Sequence, residues 1–309
     1  MGRFEPWTLV LAGGDGARLR DLTTLIAGAP IPKQYCRIDG DRSLLEATLV
    51  RIAPVAPPSR TLAIVNHSHV PLAYEQLAPL PPENILVQPA NRETGPGILY
   101  PLLSLARRDP DALVAVFPSD HHVANDGPFV EAVSRGLDVA ATDPRAVVLL
   151  GVRPTHADPG YGYVECGDPT EMRGVFRVRG FHEKPPAPVA RALMARALWN
   201  SFVMVFHVGH MLELIAAHRP GDFMALALLH DLGGVPIAYA SLGPWNFSED
   251  LLARVTERLL VLEVVGSGWS DWGTRAAIEA TFAREHRVPS WMTRRSAGTH
   301  AGPPSPSAP

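Results

Sequence analysis

Leu9-Val10-Leu11-Ala12-Gly13-Gly14-Asp15-Gly16-Ala17-Arg18, continuing to Pro32-Lys33-Gln34, is the stretch from which the fold is read. The apolar run Thr8–Leu11 has the length and composition of a buried strand. It breaks into glycines, which let a chain turn sharply and approach a ligand closely because no Cβ intervenes. Free N–H groups there, followed by a helix N-terminus, form an anion cradle, and Arg18 and Lys33 add positive charge. An ordinary glycine turn with two solvated cations is the bland alternative. The loop is not a dinucleotide fingerprint, since Leu19 stands where the third glycine is needed, and no Gly-Lys-Ser/Thr follows to make a P-loop.

Further apolar runs follow at Thr61–Val65, Ile85–Val87, Leu113–Phe117, Val147–Val152, Val175–Val178, Phe202–Val208 and Leu259–Val265. Helical patterns fall between them at Ser43–Ile52, Gly97–Arg107, Phe129–Ala140, Val189–Ala197 and Met211–Ala217. This alternation predicts an α/β fold, a Rossmann-like, mostly parallel mixed sheet with helices on both faces. Ligands in such sheets lie beyond the carboxyl ends of the strands. Gly13–Arg18, Gln88 and Ser119-Asp120 fall at such ends.

The 309 residues, 46% hydrophobic and 19% charged, suit one large domain, placed at residues 1–290. Residues 291–309, most clearly from Ser296 on, form a Pro/Ser/Ala-rich tail expected to be disordered. A net charge of −3 argues against general nucleic-acid or membrane-surface binding. Cys36 and Cys166 supply neither metal spacing nor a disulfide framework. Met1–Pro6 does not read as a signal peptide, and no apolar run approaches the roughly 18 residues of a membrane span, so a cytoplasmic location is expected. Self-association is left open.

Taken together, the polar clusters resemble the sugar-1-phosphate nucleotidylyltransferases, most closely the bacterial mannose-1-phosphate guanylyltransferases. The family's glycine loop and PKQ look like Leu11–Leu19 and Pro32-Lys33-Gln34. Its RNTAPA segment looks like Arg92–Gly97, and its PSDH stands as Pro118-Ser119-Asp120-His121. Tyr161-Gly162-Tyr163, Glu183-Lys184-Pro185, Trp199-Asn200-Ser201 and Trp269–Thr274 follow in the family's order, so the resemblance spans residues 7 to 280. It does not extend to the isomerase domain fused to some members. Four departures stand out: Ala17 for Thr, Arg20-Asp21 for the usual Trp or aliphatic residue and Pro, Glu93 for Asn, and Phe202 for Gly.

The resemblance implies a nucleotide-diphospho-sugar transferase-like fold and Mg²⁺-dependent transfer of a nucleotidyl group from GTP to mannose-1-phosphate. The alternatives are a UTP- or dTTP-dependent relative and a non-catalytic regulatory relative that binds nucleotide sugar. Arg18, Lys33, Asp120 and Asp271 would be catalytic, with Asp120 and Asp271 as metal ligands. Leu11, Ala12, Gly13, Gly14, Gly16, Gln88 and Glu93 would bind the nucleotide, and Gly162, Glu183, Lys184 and Asn200 the sugar phosphate. Such chemistry needs no covalent intermediate, because positioning and charge neutralisation carry it. Without the resemblance, Asp120 and Asp271 would read as a cap and a turn former.

His121 and His122 are adjacent and so point to opposite faces, one able to support the site and the other packed or solvated. His67 and His69 read as a surface pair. Asp39 reads as part of a turn with Gly40 and Asp41. Phe202 has two expected outcomes: it shares the cleft face with Asn200, or a bulge after Ser201 turns it into the core.

Overall fold

The computed structural model describes residues 5–293. Nine strands form one sheet: β1 (Trp7–Ala12), β2 (Thr61–Asn66), β3 (Ile85–Gln88), β4 (Leu113–Pro118), β5 (Val147–Val152), β6 (Tyr163–Pro169), β7 (Val175–His182), β8 (Ala197–His207) and β9 (Leu259–Val264). Their order is β3-β2-β1-β4-β8-β5-β9-β7-β6, and β8 also pairs with β6. The first four strands run parallel, as does β5 with β9. Every pairing of β8 is antiparallel, so the sheet is mixed and its parallel part is concentrated in the half that carries the glycine loop.

Alternate residues of each strand feed two apolar layers. Val10, Ala115 and Val148 face one core, while Leu9, Val114 and Leu149 face the other, and all six are fully buried. This double burial explains why the central strands read as unbroken apolar runs. The helix Asp126–Thr142, through Phe129 and Val133, covers the first face, and helices Thr94–Arg108 and Val208–His218 cover the second. The α/β class, the mixed sheet and the two covered faces are as the sequence predicts.

Several elements differ from the sequence reading. The strand β6 is not foreseen, because Glu165, Gly167, Asp168 and Pro169 disfavour strands. It forms on pairing with β7 at the sheet edge, where tertiary contacts override propensity. The helix expected at Val189–Ala197 runs instead over Ala187–Leu193, and Ala197 already begins β8. Helices Pro220–Asp231 and Val235–Ser241 are also missed, since the sequence there is apolar on every side and has no clear helical period. Of the expected tail, Ser290–Thr293 is a short helix whose buried Trp291 donates to the Ile38 carbonyl at 3.0 Å. Residues 294–309 lie outside the described part of the chain.

Candidate active site

The ends of β1, β3 and β4 open into a cleft of about 350 Å³, closed on the far side by residues of β8, the segment before β6 and the turn after β9. That volume lies in the range of small-molecule sites. The glycine loop forms one wall. Gly13 lies so close to Gln88 that a Cβ would stand 2.6 Å from its Nε2, and Gly16 has φ +59°, a conformation disfavoured for residues with a Cβ. The loop is held from behind. Gln34 Nε2 donates to the carbonyls of Ala12 (3.1 Å) and Gly14 (2.7 Å), and the Tyr35 hydroxyl donates to Ala12 (2.7 Å). Asn91 donates to the Asp15 carboxylate at 2.8 Å, and His69 Nε2 lies 3.4 Å from the same group. The N–H groups of Gly14, Asp15 and Gly16 donate to no described residue. A run of free backbone donors of this kind is suited to an anion.

Two acidic turns meet at the centre. His122 and Ser270 exchange backbone hydrogen bonds of 2.9 and 3.0 Å, which draws the Asp271 turn against the segment carrying Asp120. Lys33 Nζ sits 3.2 Å from Asp120 Oδ2 and donates to the carbonyls of Asp271 and Trp272. Only 8% of its side chain is exposed. The sequence reading sends Lys33 to the triphosphate, whereas the structure makes it the cation that ties the two acidic turns together.

Asp120 keeps a third of its side chain open to the cleft. Partial burial pushes its carboxyl upward, but Lys33 and His121 outweigh that and hold it below the usual carboxylate range. Burial lowers the His121 imidazole. Its Nδ1 accepts from Trp269 Nε1 at 3.2 Å, which leaves Nε2 to face Asp120 at 3.6 Å. Asp271 is oriented by two donors on Oδ1, the Tyr161 hydroxyl and the Gly273 N–H, both at 2.8 Å. Burial and the neighbouring carboxylate raise the Tyr161 phenol far above its ordinary value, so it stays a donor. Tyr161 itself is stacked on Trp199 at 4.5 Å.

No cluster of three or more His, Cys, Asp and Glu side chains able to hold a metal occurs among the described residues. Two carboxylates with oxygen donors only, beside an anion cradle, suit magnesium, which binds through one or two carboxylates and the phosphates of its substrate. Asp120 and Asp271 would hold it.

Across the cleft lie Gly162, Glu183, Lys184 and Asn200. Gly162 accepts the Asn200 N–H at 2.8 Å, and Glu183 Oε1 lies 3.0 Å from Lys184 Nζ. Among the nucleotide-side candidates, Leu11, Gly13, Gly14, Arg18, Gln88 and Glu93 line the cleft. Ala12 and Lys33 are buried behind its wall as supports, and Gly16 makes the turn of the loop beside it. Gln88 is buried and accepts from the Tyr239 hydroxyl at 3.4 Å, while Glu93 is exposed at φ +66°.

Sequence reasoning missed Asn246 and Ser248, which line the cleft from the segment after the unforeseen helices, and gave no role to Gln34, Tyr161 or Trp269. His122 is the packed member of the His121-His122 pair, stacked on Trp272 at 4.4 Å and bonded to Glu285 at 2.8 Å. His69 is buried and does not sit on the surface, and Asp39 pairs with Arg287.

A fold of this topology, with a glycine loop facing two acidic turns, defines a nucleotide-handling transferase class. The model of the nucleotidyl transferase family matches residues 7–286, and the chain belongs to that family. It is 35% identical over 294 residues to the mannose-1-phosphate guanylyltransferase ManC of Salmonella typhimurium, covering 90% of this chain and 60% of that protein. The xanthan biosynthesis protein XanB of Xanthomonas campestris pv. campestris (strain B100) is 34% identical over 280 residues, 87% of this chain and 58% of its own length. The chain thus spans about three-fifths of these relatives. Among solved structures, a mannose-1-phosphate geranyltransferase from Thermus thermophilus superposes with a TM-score of 0.81 at 30% identity, over 91% of this chain and 80% of that one.

Proposed function

We propose that this protein transfers a guanylyl group from GTP to mannose-1-phosphate and releases pyrophosphate. The observation that carries the reading is the meeting of two acidic turns between a cradle of free N–H groups and a wall bearing Lys184, Glu183 and Asn200. A phosphate oxygen of the sugar attacks the α-phosphorus in line, the bond to the β-phosphate oxygen breaks, and pyrophosphate leaves with that electron pair. The difficulty is that two anions meet while charge grows on the leaving group, and preorganised donors and cations answer it. The N–H groups of the loop and Arg18 hold the leaving phosphates, and Lys184 binds the incoming one. Lys33 fixes the spacing of Asp120 and Asp271. Magnesium, held by these two aspartates, would neutralise phosphate charge when bound.

The likeness to two bacterial proteins, one named for mannose-1-phosphate guanylyl transfer and one for xanthan biosynthesis, supports the substrate pair. Gln88 offers an amide to any base with a paired donor and acceptor, and Glu93 adds an acceptor suited to the N1–H and N2–H₂ edge of guanine. Because the Gln88 amide alone also fits uracil and thymine, a UTP- or dTTP-dependent reaction is the second reading. A cytoplasmic location belongs to the same proposal, and no helix among the described residues is long and apolar enough to cross a membrane.

Pyrophosphate release across the common NTPs and a panel of sugar-1-phosphates, with Mg²⁺, tests the proposal. GTP with mannose-1-phosphate should give the highest kcat/KM. A pyrimidine triphosphate in first place would transfer the assignment to the second reading, and no release with any pair would end both.

A further inference from the structure

Phe202 stands in the middle of β8 with φ +59°, a conformation rare for a bulky aromatic residue. The reason is a bulge. Met204 pairs with Leu149 and Asn200 with Gly151, so Ser201, Phe202 and Val203 oppose Leu150 alone. The bulge closes on its own side chains: Ser201 Oγ donates to the Leu150 carbonyl at 2.6 Å and accepts from the Val203 N–H at 3.2 Å. The Phe202 N–H donates to Asn200 Oδ1 at 3.0 Å. A backbone held in so costly a geometry points to a local task.

The bulge does two things to the cleft. It keeps Phe202 on the side of the sheet that carries Leu198 and Met204, half-buried against that core and lining the cleft with Asn200. It also engages one lone pair of Asn200 Oδ1, so the Nδ2 hydrogens, which donate to no described residue, are the amide's freest groups toward the cleft. One strand therefore presents a donor pair and, beside it, an aromatic ring with nothing to offer a hydroxyl.

We propose that Phe202 is a substrate-selecting residue of the sugar side: its ring accepts a sugar-1-phosphate that turns a C–H face or a deoxy carbon toward it, while Asn200 Nδ2 donates to a neighbouring oxygen. The proposal rests on the nucleotidyl-transfer reading. An apolar wall cannot repay the water lost by a hydroxyl pressed against it, whereas a carbon loses nothing there. A single group in such a pocket is worth about tenfold or more in selection.

The test compares wild type, Phe202→Gly and Phe202→Tyr with mannose-1-phosphate and its monodeoxy analogues. Glycine accepts the bulge geometry, so Phe202→Gly should fold and keep its KM for GTP. At one ring position the deoxy analogue should lose little against the parent in the wild type. Phe202→Gly should shift that kcat/KM ratio about tenfold toward the parent. Phe202→Tyr, which keeps the ring, should stay nearer wild type. Unchanged ratios across the panel in Phe202→Gly overturn the proposal. If the wild type releases no pyrophosphate with any pair, the reaction assigned above falls instead. Calorimetric titration of the same sugar-1-phosphates then decides on Phe202 alone, and equal Kd values for wild type and Phe202→Gly overturn it.

Discussion

The two walls of the cleft are built by opposite means. On the glycine-loop side a ligand would meet backbone, and side chains from elsewhere hold the loop in place: Gln34 and Tyr35 donate to its carbonyls, and Asn91 and His69 engage the Asp15 carboxylate. On the opposite side, which the proposed function gives to the sugar, a ligand would meet side chains, and two of them hang from strained backbone, Lys184 at φ +44° and Phe202 at φ +59°. At Gly13 this backbone wall tolerates little change, because any Cβ there strikes Gln88. A side-chain wall can change its chemistry while the chain path stays fixed. Where the sequence departs from the resembling family inside the cleft, at Glu93 and Phe202, it does so at positive-φ positions, and Glu93, with ψ −170°, lies in a region that only glycine enters freely. The conformation survives and the exposed group is new.

Between the walls lies the seam of Asp120, Lys33 and Asp271, and breaking it should have the largest effect. Asp120→Asn and Asp271→Asn should each lower kcat by on the order of a hundredfold or more, with both substrates' KM values changed far less. Magnesium titration followed by calorimetry should show binding weakened in both variants. Near-normal turnover at limiting Mg²⁺ in either would remove that residue from the ligand set and leave the two walls without a shared centre.

How much of this was legible beforehand follows the same division. The glycine loop, Gln88 and Asp120 stand at the ends of apolar strands, so sequence pattern alone locates them. The sugar wall is different. Asn200 stands ahead of the run expected as a strand, Phe202–Val208, but sits within β8, and the helix expected over Val189–Ala197 conceals where that strand begins. The role of Lys33 is invisible for another reason: its partners lie more than 80 residues away, at Asp120, and further still at Asp271. Asn246 follows helices with no readable period, so nothing marks it as facing a site.

The next effects should separate the walls. Arg18 is exposed at the cleft rim and pairs with no described carboxylate. Arg18→Ala should cost about 1.5–3 kcal/mol of GTP binding through a lost charge-assisted contact, while GMP binding and sugar-1-phosphate binding hardly move. Equal losses for GTP and GMP would take Arg18 off the β- and γ-phosphates. Gly13→Ala is the steric counterpart. Its methyl must displace Gln88, at about 1–3 kcal/mol for an overpacked contact, and the loss should appear in the KM for the nucleotide alone. A matching rise in the sugar KM would show that the walls are mechanically coupled.

The smallest predicted effect is on the pH dependence of stability, and it belongs to the glycine-loop side and the seam. Burial lowers the imidazoles of His69, His121 and His122 below their ordinary value near 6.5. Each neighbouring carboxylate, Asp15, Asp120 or Glu285, pulls the other way without reversing the shift. In the unfolded chain these groups take up protons as the pH falls through about 6.5. In the folded chain they resist until the pH is lower. The unfolded state therefore binds more protons across that window, and stability must rise with pH there. The contribution is fully present above the unfolded value and is lost progressively as the pH drops through the folded ones. Tm should fall on going from pH 7.5 to 5.5, and His69→Gln, which removes one of the three groups, should make the fall shallower. Because His69 lies 3.4 Å from the Asp15 carboxylate of the loop, nucleotide affinity should weaken over the same range more than sugar-1-phosphate affinity does. A Tm that is flat, or that rises on acidification, would mean that these imidazoles charge more readily in the folded protein, and that the carboxylates beside them outweigh burial.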